Sequence, residues 1–271
     1  MSAYKAIALD MDGTLLTRDH RISPATRQAL ERARAQGIKV LLVTGRHFMT
    51  ARPFHADLAL DTPMICSNGA YLFDRPAGRI VEGDPLSREV SDRLLSLIHD
   101  KSLGALIHLE EGIAYLGCED HVARMRQWSS VQPDHLKIRL LPVAEQTGLA
   151  LQTFWKVELF HRDHDYLQQV VEQEVAALPV TADWAAPYAI ELVDPRCSKG
   201  NRLARWAAQN GISMEEVVAF GDNHNDVSMF EQAGLAVAMG NAKPEIQARA
   251  DKVTADHNED GIAVALERWV F

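Results

Sequence analysis

Short apolar runs with no polar alternation recur along this chain, at residues 4–9, 38–43, 217–220 and 235–239. A strand that faces water on one side alternates in polarity. A strand that does not alternate is covered on both faces. That pattern restricts the fold to a mostly parallel sheet with helices on either side, a doubly wound α/β architecture. The first two runs flank a helix signal. Ser23-Pro24 opens it, as N-cap and first-turn proline, and Gly37 closes it. This is a β-loop-α-β unit, whose crossover is right-handed when the strands are parallel. A further short run, 63–66, ends in Ser67-Asn68-Gly69 and reads as a third parallel strand. The helical stretch before it is expected to be interrupted at Pro53.

The rhythm changes after about residue 82. Helical stretches near 86–100, 119–129 and 164–177 alternate with strand candidates at 105–109, 113–116, 154–160, 179–183 and 188–193, while 130–150 has no assignable pattern. Antiparallel strands with helix pairs describe an α+β module. From Cys197 the βα pattern returns. The expected organisation is a core from 1–82 and 194–271, with an α+β domain, 83–193, inserted between its halves. There is no internal repeat and no low-complexity tract.

Each core strand runs out into small polar or acidic residues, and parallel strands place those ends on one edge. Asp10 and Asp12 follow the first, Thr44 and Gly45 the second, and Asp222, Asn225 and Asp226 a later one. Alone, Asp10-Met11-Asp12-Gly13 reads equally well as a polar turn. A second acidic strand end on the edge where such sheets bind ligands favours a site. Several carboxylates brought together call for a cation, and hard oxygen ligands suit Mg²⁺, which in turn meets phosphate. Thr14, Thr44 and Gly45 offer hydroxyl and main-chain donors for a phosphate. Lys199 stands in the first turn of the helix opened by Ser198, where an ammonium opposes the helix dipole. Its placement is explained if it reaches the carboxylates.

Composition excludes several other classes. A formal charge of −9 with no basic run argues against nucleic acid as partner. Three dispersed cysteines form no zinc or disulfide pattern. No apolar run approaches the ~20 residues of a membrane span, and 6–9 is too short for a signal peptide, so a cytoplasmic location is expected. The 11 histidines lack helical metal spacing. His47 reads as near the site or on a helix surface, His224 as solvent-facing or adjacent to the site. Trp128, Trp155, Trp184 and Tyr188 read as core of the inserted domain, and Glu191 and Asp194 as hinge polarity.

Asp10-Met11-Asp12-Gly13-Thr14-Leu15-Leu16, Val43-Thr44-Gly45-Arg46, Ser198-Lys199-Gly200 and Gly221-Asp222-Asn223-His224-Asn225-Asp226 resemble, in order, the four motifs of haloacid dehalogenase superfamily phosphatases. The position of the insert, Asn68-Gly69 and Met239-Gly240-Asn241-Ala242 resemble the Cof-type subfamily, with its C2-type cap domain. Within it, Thr44-Gly45-Arg46-His47 and the runs Leu58 to Gly69 and Ser198 to Ala242 are most similar to the bacterial pyridoxal phosphate phosphatases.

The resemblance implies a Mg²⁺-dependent hydrolysis of a small phosphorylated metabolite through an aspartyl-phosphate. Asp10 is then the nucleophile and Asp12 the general acid/base. Asp10, the main-chain carbonyl of Asp12, and Asp222 are the metal ligands. Met11 (by its N–H), Thr44, Gly45, Lys199 and Asn225 bind the phosphoryl oxygens, while Arg46 and Asp226 support them, Asp226 by orienting Lys199 or a metal-bound water. Pyridoxal 5′-phosphate is the expected substrate. The alternatives are a sugar phosphatase of broad specificity, a phosphosugar mutase, and a non-catalytic sensor of phosphometabolites.

Overall fold

The computed structural model describes residues 3–271. Its contacts divide the chain into two compact units. One comprises Met1–Arg46, Phe54–Val81 and Ser198–Phe271; the other comprises His47–Pro53 and Glu82–Cys197.

The first unit begins with β1 (Ala6–Leu9), wholly buried. In α1 (Pro24–Ala35) the Ser23 hydroxyl accepts from the Thr26 N–H, which satisfies an amide the helix itself cannot. Gly37, at φ +83, terminates it in the left-handed conformation that glycine adopts without cost. β2 (Lys39–Leu42) lies parallel to β1. α2 (Phe48–Asp57) runs through Pro53 rather than breaking there. β3 (Met64–Cys66) meets the parallel sheet only at a bridge between Val43 and Ile65. It then pairs antiparallel with β4 (Tyr71–Asp74), and β5 (Arg79–Gly83) completes a separate three-stranded sheet. The bridge is parallel, as expected of the third apolar run, and Ile65 packs in one core with Ala8 and Val43; the reversal straight after Gly69 then leads into β4 in place of a helical crossover.

The chain continues as α3 (Arg88–Asp100), β6 (Gly104–His108), β7 (Ile113–Leu116), α4 (Glu119–Ser130) and β8 (Leu140–Pro142). β9 (Lys156–Phe160), α5 (His164–Gln173), β10 (Thr181–Ala186) and β11 (Ala189–Val193) follow. The six strands form one sheet in the order β10-β11-β9-β6-β7-β8, antiparallel except for the β7–β8 pair. The unassigned stretch 130–150 thus contributes an edge strand. One face of the sheet packs Ile107, Val157, Leu159 and Ile190 against Leu94 of α3 and Leu167 of α5. Trp184 and Tyr188 are 37% and 55% exposed, so they lie outside this core.

The other face carries a buried charge network. Lys156, 1% exposed, is 2.7 Å from both Glu158 and Glu191, and His108 approaches Glu158 at 3.4 Å. Lys156 and Glu158 are two apart on β9, and Glu191 lies directly opposite Glu158 on β11, so strand periodicity alone puts them on one face. Glu191 is therefore an interior partner of Lys156 and not hinge polarity. Asp194 does accept from Arg196 where the 194–197 segment passes Asp84.

His47 is not on a helix surface. It is buried in the second unit, where its Nε2 lies 2.7 Å from the Leu109 carbonyl and its Nδ1 accepts from the Met49 N–H. Only the neutral ring suits both bonds, and burial pushes its pKa well below the ordinary 6.5. The unfolded chain takes up this proton near 6.5 and the native chain does not, so His47 subtracts stability as pH falls below that value, by ~1.4 kcal/mol per pH unit. Calorimetric melts of wild type and His47→Gln should converge as pH drops from 7.5 to 5.5. Comparing the pair cancels titrations elsewhere, and curves that stay parallel refute the reading.

The first unit resumes with α6 (Lys199–Gln209), β12 (Val217–Gly221), α7 (Val227–Phe230), β13 (Leu235–Ala238), α8 (Pro244–Gln247), β14 (Lys252–Val253) and α9 (Gly261–Trp269). Its main sheet, β14-β13-β12-β1-β2, is parallel throughout. β1 lies between β12 and β2, so their C-terminal ends bring Asp10, Asp222 and Thr44 to one edge. Among the described residues no helix is long and apolar enough to cross a membrane.

Candidate active site

Directly after β1, Gly13 takes φ +79, and a Cβ there would lie 2.3 Å from an Asp222 carboxylate oxygen. The position therefore demands glycine twice, for its backbone and for its missing side chain. Asp222 is also held from two sides. The Thr14 hydroxyl donates to its Oδ1 at 3.0 Å, and Asn241 Nδ2 donates to its Oδ2 at 3.5 Å and to the Gly13 carbonyl at 2.9 Å. Thr14 is thus a partner of Asp222, where the sequence suggests a phosphate donor. Nothing in the spacing points to Asn241; only the likeness of the Met239–Ala242 run does.

Lys199 is buried, and its Nζ donates to Asp10 Oδ1 and Asp226 Oδ1, each at 2.6 Å. The Ser198 hydroxyl caps α6 by accepting from the Asn201 N–H, which fixes the turn from which the lysine projects. Asp226 Oδ2 accepts from the N–H groups of Asp222 and Asn223. Asp226 therefore ties the lysine to the loop after β12, as expected of a residue that orients Lys199. Oxygens of Asp10, Asp222 and Asp226 lie within 4.8 Å of one another.

Burial pushes Asp10 well above the usual carboxylate range; Lys199 pulls against this, while Asp226 and Asp222 add to it. Burial and the Asp226 charge push Asp222 up to about 7. For Lys199, burial is outweighed by its two carboxylate partners, which hold the ammonium protonated. Fully ionised, the three carboxylates exceed the one ammonium by two negative charges, the amount a divalent cation balances.

The side chain of Asp12 points away from this cluster. Arg46 grips it with Nε on Oδ2 at 2.6 Å and Nη2 on Oδ1 at 2.5 Å. Its side chain is 52% exposed, so desolvation raises its pKa little, and the Arg46 guanidinium holds it below the ordinary range. The two carboxylates of the first motif thus sit in opposite environments, the pattern by which paired acids acquire different roles. Thr44 Oγ1 accepts from the Arg46 N–H, so its own O–H is left to donate. The Met11 carbonyl accepts from the Leu16 N–H, closing the turn around the motif. Asn225 Nδ2 donates to Asn68 Oδ1 at 3.1 Å, and His224 is exposed.

A family model described as haloacid dehalogenase-like hydrolase matches residues 7–266. The chain is 38% identical over 261 residues to the pyridoxal phosphate phosphatase YbhA of Escherichia coli (strain K12), covering 96% of each. Two solved structures superpose throughout. A haloacid dehalogenase-like hydrolase from B. subtilis has TM-score 0.83 at 28% identity, covering 98% of this chain and 100% of that one. A sugar phosphatase of haloacid dehalogenase subclass IIB has TM-score 0.79 at 26% identity, covering 97% and 98%. With the motifs gathered on one sheet edge and a family match across nearly its whole length, the chain belongs to the haloacid dehalogenase-like hydrolases, as a phosphatase of that family.

Proposed function

We propose that this chain is a Mg²⁺-dependent phosphatase of small phosphomonoesters, working through an aspartyl-phosphate, with pyridoxal 5′-phosphate as its substrate. The observation that carries this is Asp10 held at 2.6 Å by a buried Lys199 beside Asp222. An Asp10 oxygen attacks phosphorus, and the bond from phosphorus to the ester oxygen breaks. Once Arg46 lets go, Asp12 takes up a proton from solvent and gives it to the departing alkoxide. It then takes a proton from the water that attacks the aspartyl-phosphate, so that inorganic phosphate leaves and Asp10 is regenerated. Lys199, Thr44, Gly45, Asn225 and the Met11 N–H hold the phosphoryl oxygens, positioning being most of what this chemistry needs.

Asp10, Asp222 and the main-chain carbonyl of Asp12 would hold Mg²⁺. The all-oxygen donor set and the charge excess fit that ion. Bound there, it neutralises charge on the phosphoryl group. Asp226 is assigned the orienting of Lys199 and of the loop after β12, and no place on the metal. The insert, 83–193, is assigned the choice of leaving group, and the 1–82 and 194–271 core the chemistry. No role with nucleic acid or membrane is proposed, and the location is taken as cytoplasmic.

The substrate reading is supported by the 38% identity to a protein named for pyridoxal phosphate. Likeness to a sugar phosphatase supports the second reading, broad specificity for sugar phosphates. Phosphate release from pyridoxal 5′-phosphate, hexose phosphates, erythrose 4-phosphate and flavin mononucleotide separates them. The expected kcat/KM for pyridoxal 5′-phosphate exceeds the others by at least about tenfold, a difference of ~1.4 kcal/mol. Equal values for the sugars establish the second reading. Chelation should abolish turnover. Mg²⁺ should also raise the melting temperature, by an amount corresponding to ~2.7 kcal/mol at a hundred times Kd. Asp222→Asn should lose that rise.

A further inference from the structure

Beyond β3, three successive residues occupy the left-handed region: Ser67 (φ 52), Asn68 (φ 56) and Gly69 (φ 86). Residues with a Cβ pay on the order of 1–2 kcal/mol to stand there. Gly69 admits no other residue, since a Cβ would lie 2.1 Å from the Ser198 carbonyl oxygen. The loop is nevertheless completely buried. What holds it is the site itself. The Ser67 and Asn68 N–H groups donate to the carbonyls of Arg46 (3.0 Å) and Thr44 (3.1 Å). From α6, the buried Arg202 guanidinium donates to the carbonyls of Gly69 (3.0 Å) and Ala70 (3.2 Å). From the loop after β12, Asn225 Nδ2 donates to Asn68 Oδ1. Three segments distant in sequence, each contributing to the phosphate-binding set, converge on this one strained turn.

We propose that Asn68 is a positioning residue for phosphoryl recognition, its Oδ1 fixing the Asn225 carboxamide with the NH₂ end toward the anion. The inference rests on the reading of Asn225 as a phosphate ligand. A carboxamide presents a donor at one end and an acceptor at the other. With Asn68 accepting one N–H, the second N–H of the same nitrogen is aimed, and the amide can turn its oxygen toward a negatively charged group only if Asn68 turns its own carboxamide as well. The strain of the loop is the cost of bringing that acceptor into place.

Asparagine is also the residue that best tolerates φ > 0 after glycine, so a purely conformational role for Asn68 is the competing account. Asn68→Gly separates the two, because it keeps or eases the backbone and deletes only the amide. The melting temperature should stay within about 3 °C of wild type, relief of strain offsetting the greater freedom of the unfolded chain. KM for the phosphomonoester and Kd for orthovanadate, titrated by calorimetry on the Mg²⁺-loaded protein, should each rise about 5–10-fold with kcat changed less than about threefold. In an Asn225→Ala background the same substitution should add nothing, since the residue acts through Asn225. Unchanged KM and orthovanadate Kd in Asn68→Gly overturn the proposal, as does a full additional loss in the double variant. Vanadate binding requires no turnover, so wild type that binds vanadate but releases no phosphate fails as a phosphatase while still testing Asn68. Wild type that binds no vanadate overturns the anion site and this inference together.

Discussion

Asp10→Asn is expected to lower kcat by roughly 10⁴-fold or more, because on the proposed mechanism it removes the oxygen that attacks phosphorus and leaves every neighbour in place. Asparagine has the shape of aspartate, and its carbonyl oxygen can still accept from Lys199. It also carries no charge into a pocket where burial and two other carboxylates already push Asp10 well above its ordinary range. The melting temperature should therefore hold or rise. The result to look for is a dead enzyme with an intact fold. Acid-quenched wild type should carry a phosphoryl mass increment on the Asp10 peptide, and the variant none. If the variant keeps kcat within tenfold of wild type, Asp10 is not the nucleophile.

Lys199→Met should cost both activity and stability. Its ammonium is the cation that bridges Asp10 and Asp226, each at 2.6 Å, from a fully buried position. Taking one partner out of a buried ion cluster costs about 3–5 kcal/mol, since the remaining charges stay buried and unbalanced. At ~2–4 °C per kcal/mol that is a fall on the order of 10 °C in melting temperature. Mg²⁺ should restore part of the stability, being a second source of positive charge, while kcat stays depressed by about 10²-fold or more for want of the phosphoryl contact. Methionine fills the same space, so a cavity does not explain the loss. A variant with wild-type stability in the absence of Mg²⁺ contradicts the charge balance described for the site. Arginine is not expected to rescue it, because a planar guanidinium does not place one nitrogen between two carboxylates in the volume of an ammonium.

The sheet that carries these residues was readable because strands covered on both faces advertise themselves as unbroken apolar runs. β1, β12 and β13 follow that rule, and β2 does after its exposed Lys39. Lys199 was readable through an anomaly, a cation at the wrong end of a helix dipole. Thr14 was misread because a hydroxyl beside an acidic motif suits a phosphate as well as a carboxylate, and only the turn at Gly13 decides between them. Glu191 was misread because its partner Lys156 lies 35 residues earlier and meets it only once β9 and β11 pair. The alternation in Lys156-Val157-Glu158 did mark two charges for one face of a strand. β4 and β8 escaped for different reasons. Tyr71–Asp74 follows so closely on a turn that its reversal depends on Gly69, and Leu140–Pro142 is an edge strand of three half-buried residues with too little pattern to register. Asn68 stood out only by likeness, since a hydrogen bond spanning 157 positions leaves no local trace.

The pairing of Ala6 with Val217 has a consequence for how the chain is made. β1 precedes the other described strands, yet its neighbour β12 follows only after all six strands of the second unit's sheet have been synthesised. At ~5–20 residues per second the nascent chain holds a strand of four apolar residues without that partner for roughly 10–40 s. Every strand of the six-stranded sheet emerges within that interval, so the insert can complete its hydrogen bonding while the main sheet is still open. The carboxylates at the end of β1 acquire Lys199 and Asp222 only once α6 and β12 have been synthesised. The carboxylate cluster thus assembles only after β12, and a chain truncated before β12 lacks Asp222 and Asp226.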